Sequence, residues 1–328
     1  MSILNRRQFV SGATALGAAS MLAGCGESDP RNFPDRDVKF IIPFAAGGGF
    51  DSYVRIVAEP MAAALGGKVN VVPTNVTGAG GGKGVSQLYH SRPDGYTIGI
   101  LNVPGALVME LLTGTGSFDL EKMTWLGNIG RDPYGVAVGY NSPIRTIDDL
   151  RALSARRPLK FTSTGPGSTG RAATLIASEM LGLRSEIISG YKGSIEYIVA
   201  AARGDGDAAI SSLTVMTGLV QAKVIRVIAT FEEKSSIEGA QNALDVGHPE
   251  LTKIVQLRPV AAPPALPAEI EKRLSDALAK GLRDPGVVAW SDKNHAYLAP
   301  ESPEQTIAGL HEQMAFINQW RSVLERTT

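Results

Sequence analysis

One cysteine in 328 residues leaves no disulfide framework and no cysteine-rich metal site. Four histidines (His90, His248, His295 and His311) stand far apart, without the HxxxH or HExxH spacing that seeds a metal site. Net charge is also missing: 32 Lys+Arg balance 32 Asp+Glu, which excludes the basic excess of a nucleic-acid binder. Beyond the N-terminal leader no segment approaches 18 consecutive apolar residues, roughly the length of a spanning helix. Catalytic signatures are absent as well. There is no GxSxG nucleophile elbow. The glycine run at 78–84 fails as a P-loop, with Thr77 where the first glycine belongs and Gly84 where a magnesium-binding hydroxyl belongs. The sequence offers no catalytic residue, no metal site and no cofactor.

What is present is an ordinary globular composition, 44% hydrophobic and 20% charged, long enough for two domains or two lobes. The first residues form an address. Arg6-Arg7 with Phe9 precedes a mild apolar run rich in Ala, Gly and Ser, and resembles a twin-arginine export signal. Leu22-Ala-Gly-Cys25 resembles a bacterial lipobox, whose cysteine is lipidated. On this reading residues 1–24 are a signal peptide, Cys25 is a lipid anchor and 25–36 is a tether.

Two strand–loop–helix units follow. VKFIIPFAA from Val38 suits a buried strand, Gly47-Gly48-Gly49 breaks it, and Asp51 is placed to cap a helix. Val54, Val57, Met61 and Leu65 form one face of that helix, and Pro60 is expected to kink or break it. KVNVVP at 68–73 is the next strand. About 118 residues later the pattern returns. LKFTS at 159–163 is a strand, TGPGSTG at 164–170 a loop, Arg171 to Leu183 an apolar-faced helix, and 185–189 a strand. Further strands are expected at 95–101, 134–140, 208–211 and 224–229, and helices at 147–154, 268–282 and 303–324. The proline-rich stretch 258–267 reads as a connection between lobes. Strand–helix alternation predicts an α/β fold with parallel sheets.

A glycine loop at a helix start gathers unpaired N–H groups at the positive end of the helix dipole, which suits phosphate or carboxylate. Both loops qualify, and each would aim one helix N-terminus at a common cleft. Gly165-Pro-Gly167-Ser-Thr-Gly170 also matches GxGxxG, with Glu186 about 20 residues on, so an exported nucleotide-dependent oxidoreductase stays open. Against it, the loop lies mid-chain, Pro166 stiffens it, and Glu186 precedes apolar residues.

The segments KFIIPFAAGGGFD (39–51) with Arg55, NVTGAGG (75–81) with Gly84, and RPDGYT (92–97) resemble the tripartite tricarboxylate transporter substrate-binding proteins, the Bug family. Gly165–Ser168, GYKGS at 190–194, GDGD at 204–207 and the proline-rich 259–267 continue the resemblance in order, over about residues 37–328. It implies a two-lobed, type II-like periplasmic binding protein, with mixed sheets flanked by helices and a ligand cleft between the lobes. Lobe one would comprise 37–132 plus 259–328, and lobe two 133–258.

The resemblance further implies a carboxylate held by Phe44, Gly48, Gly49, Phe50 and Asp51 of the first loop and by Ser163, Thr164, Gly167, Ser168 and Thr169 of the second. Asn102, Tyr191 and Ser211 would follow strand ends at the same cleft. Asp51 would order its loop rather than touch an anion, since like charges repel. Two departures bear on selectivity. Phe50 replaces a small residue and offers an aromatic wall, and Arg171 replaces a histidine and offers a fork for a second carboxylate. The expected protein is a monomeric, lipid-anchored periplasmic receptor for a dicarboxylate or aromatic carboxylate. It would hand its ligand to membrane permease subunits and bind no nucleic acid. A ligand sensor for a signalling partner is the non-transport alternative.

Overall fold

A computed structural model describes residues 32–114, 116–165 and 167–325. Arg6, Arg7 and Cys25 lie outside these residues, as does Pro166. From Pro34 onward the chain forms one compact unit that holds the strands and helices.

Strand β1 (Val38–Ile42) leads through the first glycine loop into helix α1 (Gly49–Ala64), then β2 (Val71–Asn75), α2 (Gly82–Tyr89), β3 (Thr97–Ile100) and α3 (Gly105–Thr113). β1 pairs in parallel with both β2 and β3, as alternating strands and helices dictate. A long strand, β4 (Thr124–Gly139), follows. The second strand–loop–helix run is α4 (Ile147–Arg156), β5 (Leu159–Thr162), α5 (Thr169–Met180), β6 (Ser185–Ile188), α6 (Ser194–Ala202), β7 (Ala208–Ser212), α7 (Leu213–Gln221) and β8 (Ile225–Thr230). β5 is parallel to β6 and β7. The chain returns through β9 (Val255–Ala262) and ends in α8 (Ala268–Leu282), α9 (Pro285–Asn294), β10 (Leu298–Glu301), α10 (Pro303–Gln319) and α11 (Arg321–Glu325).

The strand order is β2-β1-β3-β9-β4-β7-β5-β6, with β8 and β10 also on β4. β4 is the seam. From Thr124 to Pro133 it runs antiparallel to β9, and from Tyr134 it runs antiparallel to β7 and β8. One apolar cluster packs Ile41, Val85, Leu101 and Leu107 beneath β9, and another packs Val136, Phe161, Ile176 and Ile210 around β5 and α5. The last helices reach that second cluster, placing Phe316, Ile317, Val323 and Leu324 in it.

Four sequence expectations change. The stretch from Arg258 is not a loop: its first half belongs to β9, buried at every position. Pro259, which has no N–H for a ladder, is accommodated beside a one-residue bulge of β4 between Asn128 and Arg131. Asp51 is not the helix cap. Gly48 is, and Asp51 stands three residues in. α1 runs through Pro60 unbroken. The C-terminal helix is interrupted at Trp320, giving α10 and α11.

Candidate functional site

The first loop is fixed from inside by Asp51, 3% exposed. Its Oδ2 accepts from Gly47 N at 2.9 Å and Arg55 Nε at 2.7 Å, and its Oδ1 accepts from Asn75 Nδ2 at 2.9 Å. The same Asn75 amide donates to the Phe44 carbonyl at 2.9 Å. Burial pushes the Asp51 carboxyl up, but the bonds from Arg55, Gly47 and Asn75 outweigh it and hold the group below the ordinary aspartate range. With Asp51 turned into its own loop, α1 starts at Gly48 and Gly49 with no side-chain cap. Its first-turn N–H groups keep their donor capacity and their positive dipole end.

Phe50 is buried and stacks on Phe44, ring centroids 4.7 Å apart. Phe44 in turn meets the glycine run of 80–82. A methyl group on Gly81, at φ +104, would lie 3.2 Å from Phe44 Cζ. Phe50 therefore packs as core on one side and backs the exposed edge of Phe44 on the other.

The second loop is fixed by Ser168 at the start of α5. Its Oγ accepts from Arg171 N at 3.2 Å and donates to the Gly165 carbonyl at 2.8 Å. Ser163 is fully buried and its Oγ has no partner among the described residues. Thr164 anchors the loop through its carbonyl, which accepts from Gly190 N at 2.9 Å.

Thr169 carries the contact between the two runs of the fold. Its Oγ1 donates to Asn102 Oδ1 at 2.7 Å and accepts from Gly105 N, at the start of α3, at 2.9 Å. A side chain on Gly105 would strike both Asn102 and Thr169, at 2.7 and 2.9 Å, so glycine is what lets them meet. Gly167, at φ +76, faces Met109 of α3, whose Sδ presses on Gly82. Phe44, Gly80–82, Asn102, Ala106, Met109 and Phe118 line a concavity of about 10 Å³, room for one water molecule.

Behind Asn102 lies a buried polar chain on the crossing strands, which sequence reasoning missed. Gln256 Nε2 donates to Asn102 Oδ1 at 2.9 Å, and Arg258 Nη2 reaches Gln256 Oε1 at 3.4 Å. Arg258, 1% exposed, pairs with Asp132 Oδ2 at 2.9 Å and donates its backbone N–H to Asn128 Oδ1 at 2.9 Å. A basic residue just before a proline carries no periodic signal, so nothing in the sequence marked Arg258 as buried.

Three further expected residues have their own partners or neighbours in this structure. Arg171, half-buried and with its pKa lowered by that burial, donates to Ser189 Oγ at 3.1 Å. It shares a second shallow surface with Gly167, Ser168 and Leu324. The Tyr191 hydroxyl donates to Asp205 at 3.3 Å. Ser211 lies buried within β7, opposite Gly135 of β4. The structure thus unites Phe44, Gly48, Gly49, Phe50 and Asp51 around one helix start and Ser163, Thr164, Gly167, Ser168 and Thr169 around another, and joins Asn102 to the second through Thr169.

The GxGxxG spacing has a packing cause. A methyl group on Gly170 would lie 2.9 Å from the Tyr197 hydroxyl, and Glu186 sits exposed inside β6 rather than at its end. No group of three or more His, Cys, Asp or Glu that could hold a metal occurs among the described residues. No helix among them is long and apolar enough to cross a membrane.

Comparison with known proteins places the arrangement. The family model described as the tripartite tricarboxylate transporter family receptor matches residues 53–322. The periplasmic binding protein BugD superposes with a TM-score of 0.77 at 22% identity, over 90% of this chain and 98% of its own. A Rhodopseudomonas palustris protein solved with adipate gives 0.80 at 24% identity, over 89% and 98%. MatC from the same organism, with bound malate, gives 0.78 at 19% identity, over 89% and 100%. The fold is that of the periplasmic binding proteins.

Proposed function

Because the chain belongs to the tripartite tricarboxylate transporter receptor family, a family of periplasmic solute-binding proteins and not of enzymes, we propose that it captures a small organic carboxylate by closing two lobes on it. The captured ligand passes to membrane permease subunits. The observation that carries this reading is the bond between the second glycine loop and the first run of the fold, Thr169 to Asn102 and Gly105, with Gln256 and Arg258 continuing from Asn102 toward the start of α1. Helix starts of this kind attract carboxylate through backbone N–H groups and dipole. Two proteins of the same fold, one solved with adipate and one with malate, agree with that chemistry.

The lobes of this proposal are 37–132 with 259–328, and 133–258. β4 changes its pairing partners between Pro133 and Tyr134, and the last helix reaches across onto the core of the second sheet. The room left beside Phe44 and Met109, in the first run of the fold, admits a water and not a carboxylate, so capture needs an opening of the site followed by closure. The apolar lining of Phe44, Met109 and Phe118 favours a ligand with a hydrocarbon or aromatic body. Export by the twin-arginine route and a lipid anchor at Cys25 complete the proposal, supported by the leader sequence.

A thermal-shift screen of the full chain tests it, using aliphatic di- and tricarboxylates, amino acids, aromatic acids and nicotinamide nucleotides. A ligand at a hundred times its Kd adds about 2.7 kcal/mol of stability. The expected result is a shift with one carboxylate class. A shift with nicotinamide nucleotides alone would mean the carboxylate reading is wrong.

A further inference from the structure

Arg258 is the largest fully buried side chain of the molecule's described part, and its hydrogen bonding is incomplete. A guanidinium has five N–H donors. Nη2 serves Asp132 at 2.9 Å and Gln256 at 3.4 Å, whereas Nε and Nη1 are buried with no hydrogen-bond partner among the described residues. Three donors of a desolvated cation are therefore unmet, which is costly in a protein interior. Asp132 has its own second partner, accepting from Thr214 N at 3.3 Å.

The position of that guanidinium is specific. Its Cζ lies 5.3 Å from the Phe50 ring centroid and 4.4 Å from that of Tyr53, both on the first turns of α1. Its Nη2 lies 4.0 Å from where a Cβ on Gly49 would be. A cation with three unmet donors, whose bonded Nη2 is the nitrogen nearest Gly49, thus sits against a helix start that has no side-chain cap. Two positive ends side by side repel unless an anion lies between them. The nearest carboxylate of the loop, Asp51, is already committed to Gly47, Arg55 and Asn75. The charge of Arg258 is balanced on its other side by Asp132, so the site as a whole favours a single carboxylate end rather than a polyanion.

We propose that Arg258 is a ligand contact: its unmet donors, together with the first-turn N–H groups of α1, take one carboxylate of the bound solute. This rests on the carboxylate-capture reading above and assigns the charge recognition within it. On this assignment Arg258, not Arg171, discriminates an acid from its uncharged isostere.

The test uses the full chain and three probes, adipate, malate and benzoate, each against its amide. Arg258→Gln and Arg258→Lys are titrated beside wild type, with urea midpoints to show that each variant is folded. The expected result is that Arg258→Gln binds the preferred acid about tenfold or more weakly while its weak affinity for the amide is unchanged. Arg258→Lys should recover part of the loss. Equal weakening of acid and amide, or none, would overturn the assignment and leave carboxylate capture standing. No binding of any of the three acids by wild type would overturn both. Should neither variant fold, nitrogen-15 NMR of wild type decides. The Arg258 Nε–H resonance is expected to shift and exchange more slowly when the acid is added, and an unmoved resonance in an acid-saturated sample overturns the assignment.

Discussion

Asp51 orders the first loop through three hydrogen bonds on one buried carboxylate. Replacing it in Asp51→Asn puts a donor where two donors now arrive and should cost about 1–3 kcal/mol by chemical denaturation. The pH dependence has a definite sign. The folded pKa lies below the unfolded one, so the contribution is complete above the unfolded value of about 4 and fades as pH falls through the folded pKa. The stability gap between wild type and Asp51→Asn should therefore be constant at neutral pH and narrow below about pH 4. A gap that widens in acid would contradict the role given to Asp51. The sequence already indicated that Asp51 orders its loop, because acid at a helix start is a local signal. It could not indicate Arg258, whose partners Asp132, Gln256 and Phe50 come from three separate stretches of chain. Nor could it foresee that Arg171 and Tyr191 would turn to Ser189 and Asp205.

Elements were legible where a single periodicity held. β1, α1, β5 and α5 carry runs of apolar residues that match one face or one buried strand, and they form within a few residues of expectation. β9 was not legible, because prolines read as loop and only the bulge opposite, in β4, makes Pro259 acceptable. α3 was hidden for another reason: it starts at a glycine demanded by Asn102 and Thr169, a contact between distant segments. Glycine also sets the seat of α2. A Cβ on Gly84 would lie 2.9 Å from Pro43 Cα and 3.0 Å from the Val76 carbonyl, both backbone atoms that cannot swing aside. Gly84→Ala should thus lower stability by about 1–3 kcal/mol and disturb the Phe44 edge of the cleft, weakening ligand. An alanine variant as stable as wild type, measured by urea midpoint, would show that α2 is free to shift.

At the scale of the whole molecule the order of motifs carried more than any one of them. Six glycine-bearing segments in sequence pointed to the family, and the family match over 53–322 bears that out. The lipid anchor proposed at Cys25 predicts that Cys25→Ser leaves export intact and moves the protein from the membrane to the soluble periplasmic fraction, read by fractionation and immunoblot. Retention of Cys25→Ser in the membrane fraction would remove the lipid anchor from the account. The proposed closure of two lobes around one carboxylate makes a further whole-molecule demand, a single ligand per chain.

That demand is met or refused most directly by a calorimetric titration of the purified full chain with adipate, malate and benzoate, each beside its uncharged amide. The account predicts saturable heat at one ligand per chain for at least one of the acids and markedly weaker binding of its amide. Silence from every acid, or equal heat from acid and amide, would contradict the claim that this fold captures its solute by the carboxylate.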